Sequence, residues 1–141
     1  MALSPSHYVP YEAKTVYIKV YSYTDKNIVG ALSNTSLDNE IGFSNLTELI
    51  LIIERILGDL NYPQATVNMR SFNHDRLDDS FQFRDDSNST SRTIARFSLK
   101  VMYKQYSSWQ GTLVYIDENQ EINFRSVLEL IYLLDSVLSL C

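Results

Sequence analysis

The side chains able to do chemistry are few and scattered through the chain. The densest run is His74, Asp75, Asp78 and Asp79, followed by Asp85 and Asp86. Carboxylates clustered on a loop are what a hard cation such as Ca²⁺ or Mg²⁺ binds. The spacing matches no EF-hand loop, and Arg76 and Arg84 dilute the charge, so the run reads as a solvated loop. Two pairs of acids, Glu48 with Glu129 and Glu54 with Asp135, invite general acid–base catalysis. Their positions on a helical wheel are outward or on the flank, where they read as helix-surface charge. Nucleophiles are no better placed. The one thiol is Cys141, the last residue of the sequence, His7 falls in the first residues, and His74 falls in the polar run. No Gly-x-Ser-x-Gly elbow is present to activate a serine. Gly30, Gly42, Gly58 and Gly111 stand too far apart to cradle a phosphate. Two histidines and a terminal cysteine make no zinc ligand set. The expectation is a protein that is not an enzyme and uses neither metal nor cofactor.

The bulk composition agrees with a single globular domain, 1–141, of 45 % hydrophobic and 21 % charged residues. A chain of this length buries about two-thirds of its unfolded surface, enough to be stable without disulfides or metal. The net charge of −5 shows no basic arm or acidic tail and weighs against a duplex-DNA binder. A lone cysteine fits a reducing compartment. Met1 to Lys14 lacks the pattern of a signal peptide. The apolar stretches Leu46 to Leu60 and Val127 to Leu140 are short and carry charges, so neither reads as a membrane span. Cytoplasmic localisation is expected, with no membrane contact.

What must position any site is a repeat. Residues 15–60 and 96–141 align without a gap at an offset of 81, with residues 61–95 as connector and polar loop. Eleven positions are identical: Lys19/Lys100, Val20/Val101, Gly30/Gly111, Leu32/Leu113, Glu40/Glu121, Ile41/Ile122, Phe43/Phe124, Glu48/Glu129, Leu49/Leu130, Ile50/Ile131 and Leu57/Leu138. Average composition would give roughly three. Duplicated halves generally assemble about a pseudo-two-fold axis, so the repeat bears on where a site would lie.

Each copy opens with period-two alternation, the mark of a strand with one buried face. Val16, Ile18 and Val20 oppose Tyr17, Lys19, Tyr21 and Tyr23. Phe97, Leu99, Val101 and Tyr103 oppose Arg96, Ser98, Lys100, Met102 and Lys104. A second strand follows, Ile28 to Thr35 or Trp109 to Ile116, in which the shared glycine leaves room for a helix to approach. Gly42 and Asn123 suit helix N-caps, with Ile41 and Ile122 as hydrophobic staples. Helices then run to about Leu60 and Leu140 on broad apolar faces. The fold class is α+β: an internal ββα duplication forming an antiparallel four- to five-stranded sheet with two helices packed on one face. The optional fifth strand lies in the connector, at Ala65, Val67 and Met69. Residues 73–91 read as a long loop.

The face left without helices is the candidate binding surface: Tyr17, Lys19, Tyr21, Tyr23, Arg96, Lys100, Met102 and Lys104. Tyrosine and methionine are enriched in protein interfaces, and an open sheet often closes by dimerising. Aromatic rings among cations also suit single-stranded nucleic acid, although no RNP-type segment is present. Leu51 and Tyr132, equivalent positions on the outer side of each helix, form a secondary interface candidate.

Ser108-Trp109-Gln110-Gly111-Thr112 and Phe124-Arg125-Ser126-Val127-Leu128-Glu129-Leu130-Ile131, ending in Asp135 and Leu138, resemble segments of small uncharacterised proteins of Firmicutes. The resemblance covers mainly the second repeat. It implies a bacterial origin and brings no activity with it. The expected function is therefore a binding or regulatory module acting through a protein partner or as a homodimer. Single-stranded nucleic-acid binding is the first alternative, and an inhibitor protein from a mobile element is the second.

Overall fold

The computed structural model describes residues 14–60, 62–63, 72 and 92–141. In chain order they form β1 (Thr15–Thr24), β2 (Asn27–Ser33), β3 (Ile41–Phe43), α1 (Leu46–Leu60), β4 (Ala95–Tyr103), β5 (Gln110–Tyr115), a 3-10 turn (Ile116–Glu118), β6 (Gln120–Phe124) and α2 (Val127–Leu138). The fold is α+β. All six strands join one antiparallel sheet in the order β3-β2-β1-β4-β5-β6.

Four or five strands were expected, and the described residues hold six. The difference lies in Ile41-Gly42-Phe43 and Ile122-Asn123-Phe124, read from sequence as helix starts. Both are extended edge strands, paired to β2 and β5. Each follows a strand's own logic, apolar residues two apart around one that faces elsewhere. The caps fall three residues later. Asn45 Oδ1 accepts the Glu48 N–H at 2.8 Å, and Ser126 Oγ accepts the Glu129 N–H at 3.1 Å. Both glutamates reach back in turn, Glu48 to the Ser44 N–H and Glu129 to the Arg125 N–H, each at 2.8 Å. Such reciprocal caps stabilise a helix start by about 1 kcal/mol. This accounts for the identity of Glu48 and Glu129 in the two halves. The connector strand proposed at Ala65, Val67 and Met69 lies outside the described residues.

The shared glycines answer to a neighbouring strand rather than to a helix. Gly30 pairs with Val20 and Gly111 with Val101, in both cases beside a break in register where β1 and β4 carry one extra residue. A Cβ on Gly30 would stand 1.9 Å from the Lys19 carbonyl oxygen, and on Gly111 2.0 Å from that of Lys100. These are β-bulges, and only glycine fits opposite them.

The register of β1 on β4 sets Tyr17 opposite Ser98, Val16 opposite Leu99 and Ile18 opposite Phe97. Tyr17 and Ser98 are 81 residues apart, so an approximate two-fold axis passes between them, normal to the sheet. One apolar cluster joins β1 (Val16, Ile18, Val20) and β4 (Phe97, Leu99, Val101) to Leu49, Ile53 and Leu57 of α1 and to Leu130, Leu134 and Leu138 of α2. Both helices therefore cover the same face of the sheet.

Candidate functional site

The opposite face is built from the central strands outward. Cross-strand partners share a face, which gives three rows: Ala31–Lys19–Arg96, Ser33–Tyr17–Ser98–Val114–Glu121, and Thr15–Lys100–Thr112–Asn123. Tyr17, beside the approximate two-fold axis, is 44 % exposed, and Met102 37 %. Tyr21 lies with its ring centroid 5.9 Å from Lys19 Nζ.

Two of the eight expected residues are not on this face. Tyr23 and Lys104 are equivalent positions, each two or three residues past a bulge, and the extra residue reverses the alternation. Both turn toward the helices. Tyr23 pairs with the buried Ile28, and its hydroxyl donates to Asp135 Oδ1 of α2 at 2.6 Å. Lys104 is buried, its Nζ 3.2 Å from Glu54 Oε2 of α1. The same reversal brings out Tyr103, which is 59 % exposed and pairs with Gln110. Tyr103 escaped the sequence reading, although the twice-repeated glycine was the available signal for a bulge.

Two cations of the open face come with acids. Lys19 Nζ lies 2.8 Å from Glu40 Oε1. The Arg96 N–H donates to Asp117 Oδ2 at 2.8 Å, with its guanidinium 3.5 Å from Oδ1. Glu121 adds a further carboxylate to the central row. The face is consequently mixed in charge, with tyrosine and methionine between the pairs. Of the secondary candidates, Tyr132 is 67 % exposed on α2, and Leu51 is half-buried on α1.

The acids Glu54 and Asp135 bind the helices crosswise. Glu54 of α1 takes the Trp109 indole N–H at 2.9 Å as well as Lys104, both from the second half. Asp135 of α2 takes Tyr23 and, at 2.7 Å, Lys26, both from the first. Hydrogen bonds from Lys26 and Tyr23 hold the Asp135 carboxyl down at about 2. Burial, with the Asp135 bond second, pushes the Tyr23 phenol up to about 12. Each carboxylate thus ties its helix to side chains of the other hairpin.

Among the described residues no three His, Cys, Asp or Glu side chains gather to hold a metal ion. His7 and the run from His74 to Asp86 lie outside the described residues. No described helix is long and apolar enough to cross a membrane. No protein-family model, curated protein or solved structure matches the chain.

Proposed function

We propose that the chain is a tandem duplication of a strand-strand-strand-helix unit that serves as a non-enzymatic binding module, contacting a protein partner through its open sheet face. A cytoplasmic site of action belongs to the same reading. The duplication is supported by identical residues in matching roles: the bulge glycines Gly30 and Gly111 and the capping glutamates Glu48 and Glu129. The binding role rests on one observation. Tyr17, Met102 and Tyr103 are exposed on a face where Lys19 and Arg96 are already paired with acids. Aromatic and thioether surface without a net positive field suits a protein surface better than a phosphate backbone.

Fluorescence anisotropy with a labelled single-stranded oligonucleotide at low salt tests the choice. The expected result is no saturable binding tighter than about 100 µM, the weak end of nonspecific affinity. Tight, salt-sensitive binding lost on Lys100→Glu would replace this reading with the nucleic-acid one.

A further inference from the structure

The two halves bury equivalent positions unequally. Ile41 on β3 is 5 % exposed, whereas Ile122 on β6 is 52 % exposed. Ile52 and Ile56 of α1 are buried, but their counterparts Leu133 and Val137 of α2 are only partly so. Leu37 packs against the core in the first half, and its counterpart is the exposed Glu118. Nine of the twelve residues of α2 are apolar, yet only Leu130, Leu134 and Leu138 are fully buried. A helix apolar nearly all round has surface to spare for another contact. Asp135 marks the border of α2 that meets the first half, so Leu133 and Val137 lie on the opposite border, toward β6. Strand β6 is itself a sheet edge with four of its five residues exposed. It carries no lysine, proline or bulge, which commonly protect an edge, and its one charge is Glu121.

We infer that β6 and the adjoining flank of α2 seat a second copy of this chain, in a two-fold dimer that pairs β6 antiparallel with β6. The strand is self-complementary when Ile122 stands opposite Ile122 of the other copy. Glu121 then faces Asn123 and Gln120 faces Phe124, and no charge meets its like. The polar groups are already set for this register. Asn123 Oδ1 accepts the Thr112 hydroxyl at 2.9 Å, which directs the Asn123 amide N–H groups outward. The Glu121 carboxylate has no partner among the described residues. On the helix side, Ile122, Leu133 and Val137 meet their equivalents. This isologous contact closes after two copies and joins their two sheets into one, twelve strands wide among the described residues. It is centred on the sheet edge and the helix side of β6, three strands away from Tyr17, so the two readings fail separately.

Light scattering on the eluting peak at several concentrations tests the inference, on the native chain, Ile122→Lys and Tyr17→Glu. Circular dichroism confirms that each variant is folded. The expected native species has twice the chain mass. Ile122→Lys weakens the dimer about 100-fold or more, because two apolar side chains are lost and two cations are opposed. Tyr17→Glu leaves the dimer intact. Hydrogen exchange on the native chain needs no variant and is expected to show amides of 120–124 gaining protection as concentration rises. A native monomer overturns the inference, whether β6 exchanges freely or is protected at every concentration by another part of the same chain. A dimer indifferent to Ile122→Lys, or split by Tyr17→Glu, overturns it as well.

Discussion

The two crosswise contacts share a geometry but not a chemistry. Glu54 and Asp135 are equivalent positions, as are Lys104 and Tyr23, and each helix is tied to the hairpin of the other half. Around Glu54 the partners are buried: Lys104 is 8 % exposed and Trp109 4 %. Around Asp135 they are looser. Tyr23 is half-buried and the Lys26 side chain is 70 % exposed. Ile28 stands where the other half has Trp109 and offers no donor, so Lys26, from the hairpin turn, supplies the second bond. A position fixed by the fold can thus be filled by a phenol or an ammonium, provided that a carboxylate waits on the helix. Burial then decides how much each contact contributes, because ion pairs in water are worth little.

The largest expected effect removes the geometry that both contacts need. Gly111→Ala sets a Cβ against the Lys100 carbonyl, straightening the bulge that turns Lys104 inward. It is expected to cost about 3 kcal/mol or more, read from chemical denaturation. Gly30→Ala is expected to be at least as severe, since its Cβ would also meet the Phe43 ring at 2.9 Å. If either substitution is silent, the bulges do not constrain the fold as described.

Next comes the direct comparison of the two acids. Glu54→Gln removes the charge facing a buried lysine and is expected to cost about 2 kcal/mol. Asp135→Asn is expected to cost less, since its cation is exposed. Equal melting temperatures for the two variants would contradict the role given to burial.

The smallest effects are on titration. The Asp135 carboxyl is lower in the folded chain, at about 2, than its ordinary 3.8. Its contribution to stability is therefore complete above pH 4 and lost as pH falls from 3.8 toward 2. Tyr23 is raised from 10 to about 12, so its contribution is complete below pH 10 and lost as pH rises toward 12. Carboxyl NMR titration of Lys26→Ala should show Asp135 moving up toward 3.8, and more so than in Tyr23→Phe, because the lysine bond dominates. An unmoved Asp135 would mean that the lysine contact does not persist in solution.

Much of this architecture was legible in the residues. Alternation in Val16–Val20 and Phe97–Val101 showed which face of β1 and β4 is buried. Three things were hidden, each for a physical reason. A bulge inserts one residue and reverses every side chain after it, so Tyr23, Lys104 and Tyr103 were assigned to the wrong faces. Strands of three and five residues next to a helix start are too short for periodicity to separate from a cap. The roles of Glu54 and Asp135 depend on which hairpin lies under which helix, a matter of strand order that no local pattern carries. Tyr17, Lys19 and Arg96, with Lys100, stand on the strand positions that face away from the helices.

The most direct test of the open face is photo-crosslinking from position 17, with a photoreactive phenylalanine in place of Tyr17 in cells that make the chain. Ser136, exposed on α2, serves as the control position. Discrete adducts from position 17 that survive nuclease and are absent from position 136 are expected. Adducts that nuclease removes, or protein adducts from position 136 alone, would contradict the assignment of this face to a protein partner.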